Sequence, residues 1–172
     1  SDRRRQHSLY YPADSGKERE IRLLIIGDSL THASVYPNEI AKLLSLPGNP
    51  QWKMLGTHVP SGAAANVAHE GYGGWTWAAF NSKFSADISK PGNSSPFVFA
   101  DDQGKPVLDV KRYFAERCDG QFPDFIVIKL GINDCFGFTA DDPEKLDSQI
   151  DGVFLQAEKL ISEIRQAAPK AQ

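Results

Sequence analysis

The stretch Arg22-Leu23-Leu24-Ile25-Ile26-Gly27-Asp28-Ser29-Leu30 decides the fold. Its run of large aliphatic residues does not alternate with polar ones, and it stops abruptly at a glycine. Such a run reads as a strand buried on both faces, which is the pattern of a parallel sheet covered by helices. A second run, Phe125-Ile126-Val127-Ile128-Lys129-Leu130, leads into Gly131-Ile132-Asn133-Asp134. Ser29 and Asn133 each lie three positions past the last apolar residue of their run. In an open parallel sheet the ligand crevice lies beyond the carboxyl ends of the strands. A hydroxyl and a side-chain amide are thus expected at one sheet edge, a nucleophile beside an oxyanion donor, which is the minimum for acyl transfer.

Outward from these two runs, the chain alternates strands and helices. The sequence predicts a first strand over 22–26 and a helix from Pro37 to Leu46, stopped by Pro47-Gly48-Asn49-Pro50. A second strand is expected over Trp52–Thr57, then a Gly- and Ala-rich loop from His58 to Gly74 and a short helix near Trp75 carrying Trp77 and Phe80. Residues 82–107, rich in Ser, Pro, Gly and Asp, read as a long loop packed near the cleft by Phe84, Phe97, Val98 and Phe99. A helix over Asp109–Cys118 precedes the third strand, 125–130. Asp142-Pro143 opens a long helix with an N-cap and a first-turn proline. Leu146, Ile150, Val153, Phe154, Ala157, Leu160, Ile161 and Ile164 are expected to hold one apolar face of it against the sheet. Strands alternating with helices make an α/β domain with a parallel sheet.

Three blocks carry a resemblance. Gly27-Asp28-Ser29-Leu30 resembles the first block of the SGNH (GDSL-type) hydrolases, and Gly131-Ile132-Asn133-Asp134 resembles their Gly-x-Asn-Asp block. Between them His69-Glu70-Gly71-Tyr72-Gly73-Gly74-Trp75 resembles the glycine block in the form found in carbohydrate-esterase members. The three stand in family order and span roughly residues 21–168. The resemblance implies a flavodoxin-like three-layer α/β/α fold with strand order 2-1-3-4-5, which makes the first and third strands neighbours. It implies a serine esterase acting on small acyl esters, acetyl-carbohydrate among them, through an acyl-enzyme on Ser29. The family's general base is a histidine in an Asp-x-x-His block near its C-terminus. Of His7, His32, His58 and His69, none is preceded by Asp at that spacing. The expectation is therefore that 21–172 is the N-terminal part of one such domain behind a tail or strap (1–20), and that a C-terminal segment supplies the base and further strands beside the third. A degenerate, non-catalytic binding module for acylated glycans is the alternative.

The expected catalytic set is Ser29 as nucleophile with Asn133 and Gly71 as oxyanion donors, Gly73 being the rival of Gly71. The backbone N–H of Ser29 is the family's further donor. Asp28, His69 and Trp75 are candidates for facing substrate; against this, Asp28 reads as a turn holder, His69 as a loop residue and Trp75 as core. His32, three residues past Ser29, is a weaker candidate for base.

Composition bounds the rest. A chain of 172 residues with 41% hydrophobic residues suits one globular domain. A net charge of -3 and a pI near 5.8 give no reason to expect nucleic acid. Arg3-Arg4-Arg5 reads as a solvated tail. No apolar stretch approaches a membrane span. Ser1-Asp2-Arg3 has no signal-peptide core, but a mature exported protein would lack one too, and the resemblance tilts localisation toward a secreted or periplasmic setting. Cys118 and Cys135 are expected as free thiols, Cys135 as a small buried one. The histidines are scattered along the chain, with no metal-ligand spacing and no phosphate-binding glycine loop, so no metal or cofactor is expected.

Overall fold

The computed structural model describes residues 19–87 and 90–172. The tail expected over 1–20 falls almost wholly outside the described residues, as do His7 and the Arg3-Arg4-Arg5 cluster. The elements run β1 (Glu20–Gly27), α1 (Ser29–His32), α2 (Val35–Leu44), β2 (Gln51–Leu55), β3 (Glu70–Gly71), α3 (Trp77–Ser82), β4 (Val98–Ala100), β5 (Pro106–Leu108), α4 (Val110–Arg117), β6 (Phe125–Lys129) and α5 (Pro143–Ala167).

β1 is the spine of the sheet. β2 pairs parallel along its first half, from Glu20↔Gln51 to Leu24↔Leu55, and β6 pairs parallel on the opposite edge from Leu23↔Phe125 to Gly27↔Lys129. The expected neighbours, second strand and third strand on either side of the first, are those observed. β3 adds two rungs beyond the end of β2, Ile26↔Glu70 and Gly27↔Gly71. β3 falls within the stretch 58–74 expected as loop, because two residues carry no periodicity.

Period-two alternation sends β1 side chains to opposite faces. Leu24 and Ile26 join Phe80, Phe97, Tyr113, Phe114, Leu160 and Ile164 on the side of α3, α4 and α5. Leu23 and Ile25 pack with Ala41, Met54 and Val67 on the side of α2. The sheet is therefore sandwiched, and the architecture is a three-layer α/β/α fold.

Two expectations are corrected. The region 82–107 is no structureless loop: Val98–Ala100 and Pro106–Leu108 form an antiparallel hairpin, and Phe97, Val98 and Phe99 are buried. Phe97 and Phe99 anchor the hairpin in the core. The second correction concerns α5, whose buried contacts are confined to its C-terminal half at Leu160 and Ile164, while Phe154 is 63% exposed. The reason is length. Twenty-five helical residues span about 38 Å, whereas the five residues of β6 span about 17 Å, so the helix overhangs the sheet.

Beyond β1, β6 is partly uncovered. Phe125 and Val127 are 40% and 37% exposed on the face that α2 covers at β1. On its outer edge Gln172 N–H donates to the Asp124 carbonyl at 3.0 Å and Ile126 N–H donates to the Gln172 carbonyl at 2.8 Å. That is the bond pattern of parallel pairing at one residue.

Candidate active site

Ser29 is the first residue of α1, directly past the C-terminal end of β1, and it is exposed. Asp28 holds the turn: it is buried, and its Oδ1 accepts from Leu30 N–H at 2.9 Å. Its carbonyl takes the N–H groups of Thr31 and His32. The helix sits flush on the sheet because the two strand ends beneath it are glycines. A Cβ on Gly27 would run into Thr31 Oγ1, and one on Gly71 would meet Thr31 Cγ2 at 2.5 Å and His32 N at 2.9 Å. Thr31 is itself fully buried and bonded to the Tyr36 hydroxyl at 2.6 Å.

Asn133 follows β6, so the parallel register of β1 and β6 puts both loops at one sheet edge. Its Nδ2 donates to the Trp75 carbonyl at 2.9 Å, which uses one N–H of the amide and orients the group. Gly131, at φ +119°, makes the turn out of the strand. Asp134 Oδ1 accepts from Trp77 N–H at 3.2 Å, while Oδ2 is buried with no hydrogen-bond partner among the described residues. Burial raises this carboxyl above its ordinary value, and the Trp77 N–H opposes that rise.

The first half of the glycine block, His69–Tyr72, is buried, whereas Gly73 and Gly74 are exposed. Glu70 is completely buried, and its carboxylate receives four donors: Thr57 N–H at 2.7 Å, Thr57 Oγ1 at 3.2 Å, Tyr72 O–H at 2.6 Å and Tyr113 O–H at 2.8 Å. Desolvation raises its pKa, and those bonds work the other way. The Gly71 N–H donates to His69 Nδ1 at 3.1 Å. It is therefore spent within its own turn. No backbone bond takes the Gly73 or Ser29 N–H among the described residues.

The structure gathers three histidines that lie far apart in sequence. His58 and His69 face each other across a pair of backbone hydrogen bonds, both 3.1 Å, which sets their rings side by side. His58 Nε2 and His32 Nδ1 share a 2.9 Å bond with the rings stacked at 5.1 Å. His69 Nε2 bonds Ser34 Oγ at 3.1 Å, and Ser34 Oγ donates to the His32 carbonyl at 3.2 Å. Because Gly71 donates to His69 Nδ1, that nitrogen carries no proton. Burial, then the neighbouring His58 and His32, push His69 down to about 4, and burial also lowers His58. Among the described residues no three His, Cys, Asp or Glu side chains converge as a metal site.

The sequence candidates thus separate. Ser29 and Asn133 come to one edge. Asp28 and His69, expected to face substrate, are enclosed and bonded to the fold, since an Asp after a strand caps the next helix and a His opposite a backbone pair turns inward. Trp75 is 5% exposed and packs on Tyr72 and Phe80, leaving a sliver at the wall of a cavity of about 230 Å³ shared with His32, His58, Gly73 and Lys83. His32 has its Nδ1 engaged by His58. Cys135 is exposed and Cys118 buried, so the expected buried Cys135 is corrected. Sequence reasoning missed His58 altogether. Its one signal, a second histidine on the far side of the 58–69 loop, has meaning only once the loop closes.

No family model matches the chain, and no curated protein matches it. Among solved structures, a family 3 carbohydrate esterase of Clostridium thermocellum is similar, with a TM-score of 0.54 and 18% identity over 90% of this chain and 59% of that one. This chain therefore spans about three-fifths of the length of that neighbour, and what the two share is the α/β/α fold.

Proposed function

We propose that this chain carries the nucleophile and oxyanion hole of a serine ester hydrolase acting on small acyl esters of carbohydrate. The observation that supports it most is the pairing of an exposed Ser29 with an oriented Asn133 amide across adjacent parallel strands. Ser29 Oγ attacks the acyl carbonyl as a base takes its proton. The developing oxyanion is met by the Ser29 N–H, the second N–H of Asn133 Nδ2, and a glycine N–H. Gly73 suits that last role better than Gly71, whose N–H is already bonded to His69. The alcohol departs, and water then frees the acyl-enzyme by the same route in reverse.

The base in this reading is a histidine on a segment with Asp-x-x-His that pairs along the outer edge of β6. The half-exposed Phe125 and Val127 and the parallel bonds between Gln172 and the start of β6 support such a strand there. An apolar parallel edge left open invites pairing. The neighbour of known structure is described as a carbohydrate esterase, which fits the substrate class.

The test is labelling with a fluorophosphonate followed by peptide mass analysis, alongside hydrolysis of p-nitrophenyl acetate. With the base-bearing segment present, label falls on Ser29, and Ser29→Ala abolishes both labelling and turnover. Near-normal turnover in that variant would refute the assignment. A glycan-binding module is the second reading, favoured by one observation: His32 Nδ1 is engaged by His58, and no side chain hydrogen-bonds the Ser29 hydroxyl among the described residues. That reading gains if the protein binds acylated glycan and Ser29 never labels.

A further inference from the structure

Two cavities share Tyr72 and the Pro91–Gly92 turn as a common wall. The first, about 230 Å³, is lined by His32, Lys83 and Gly73, the glycine proposed as an oxyanion donor. The second, about 190 Å³, is lined by Lys90, Arg117, Ser94, Ser95 and Tyr72, with Pro96 and Val98 as apolar walls. Every formally charged side chain lining either cavity is a cation, in a chain whose net charge is -3. None of Lys83, Lys90 and Arg117 has a carboxylate partner at salt-bridge distance among the described residues. Lys83 Nζ instead donates to the Gly92 carbonyl at 2.7 Å and stands 4.9 Å over the Trp75 ring. The Arg117 guanidinium stands 5.5 Å over Phe99.

Nearby negative charge does not account for this cluster. Glu70 lies behind Tyr72, but it has four hydrogen-bond donors of its own. The Asp87 carboxylate accepts from Asn93 Nδ2 at 3.4 Å. Focused positive potential in a recess with low-dielectric walls raises the local concentration of anions.

We infer that the Lys90–Arg117 cavity is a subsite for an acidic sugar residue, a hexuronate, in the same carbohydrate whose ester meets Ser29; this rests on the esterase reading above. A guanidinium offers a planar fork that fits a carboxylate with two parallel hydrogen bonds. The Tyr72 ring, Pro96 and Val98 give the apolar faces of a pyranose ring something to cover, which a free inorganic anion would leave unmatched. The shared Tyr72 wall places this ring next to the one in the first cavity, so the ester-bearing residue and the uronate are adjacent along one chain.

The test is a backbone-amide NMR titration of the protein with methyl β-glucuronide, methyl β-glucoside, acetate and inorganic phosphate. The glucuronide is expected to bind at least about 10-fold more tightly than the glucoside, with shifts at Ser94, Ser95 and Arg117. Arg117→Met keeps the aliphatic stem over Phe99 and is expected to abolish the preference. Lys90→Met, on an exposed turn, is expected to reduce it several-fold with the fold untouched. Equal affinity for the two glycosides, a preference that survives both variants, or phosphate and acetate binding as tightly as the glucuronide would each overturn the inference. Ester hydrolysis that depends on Ser29 without any uronate preference would remove the subsite and leave the esterase. A uronate preference without Ser29-dependent hydrolysis when the base-bearing segment is present would remove the esterase and leave an acidic-glycan binder.

Discussion

His69 makes the stability of this domain depend on pH in a defined direction. In the folded chain its Nδ1 must stay bare to accept the Gly71 N–H, and the ring is fully enclosed. Its pKa is pushed from 6.5 to about 4. The native state therefore binds this proton less tightly than the unfolded chain. The stabilising contribution is complete above pH 6.5, declines as pH falls below that, and is gone below about 4. At about 1.36 kcal/mol for each pKa unit, the full contribution is about 3 kcal/mol. Between pH 7 and pH 4.5 most of it is lost, about 2 kcal/mol. His58 is lowered and changes stability in the same sense, whereas Glu70 is raised and acts in the opposite one. A single profile thus mixes groups, and the informative quantity is a difference. His69→Asn puts an amide oxygen where Nδ1 was, so it keeps an acceptor for Gly71 and removes the titration. Urea denaturation of both proteins at the two pH values measures the gap between them. The wild type is expected to lose about 2 kcal/mol more than the variant on acidification. A gap that stays constant within about 0.5 kcal/mol, or an NMR titration of the folded protein in which His69 protonates near its ordinary value, would refute the reasoning.

Asn133→Ala is expected to lower kcat for ester hydrolysis by about 10²–10³-fold with KM little changed, because the amide acts on charge that exists only in the transition state. Steady-state kinetics decide it, and an effect confined to KM would make Asn133 a substrate-binding residue instead. Gly71→Ala forces a methyl group into Thr31 and the His32 backbone. Overpacking of this kind costs about 1–3 kcal/mol, so a drop in Tm together with lost Ser29 labelling is expected, and an unchanged Tm would mean α1 has room to move. Glu70→Leu leaves the Thr57 N–H and three hydroxyls without their acceptor, whereas Glu70→Gln keeps an oxygen for Thr57 and hydroxyls that can turn to accept. The leucine variant is expected to be less stable than the glutamine one by at least about 1–3 kcal/mol in denaturant titration, and equal stabilities would show that the network contributes nothing.

What the sequence by itself determined was the sheet and its functional edge. The apolar runs Leu23–Ile26 and Phe125–Ile128 read as strands of a helix-covered sheet, and the parallel order follows because helices lie between them. Ser29 and Asn133 were legible for the same reason: a residue three positions past a buried strand lies at the sheet's carboxyl end whatever the rest of the chain does. Only the tertiary structure decided the surroundings. The His32–His58–His69 cluster depends on a loop closing on itself and on two glycines admitting α1, and neither leaves a periodic trace. The choice between Gly71 and Gly73 turns on which N–H is already bonded, a matter of angles rather than residue type. The overhang of α5 is a mismatch between one helix and one strand, visible only when both lengths are laid side by side. Local pattern specifies an element because its hydrogen bonds and apolar face lie within a few residues. A site assembled from separate elements is specified by packing among all of them, and its residues acquire their roles only when that packing is complete.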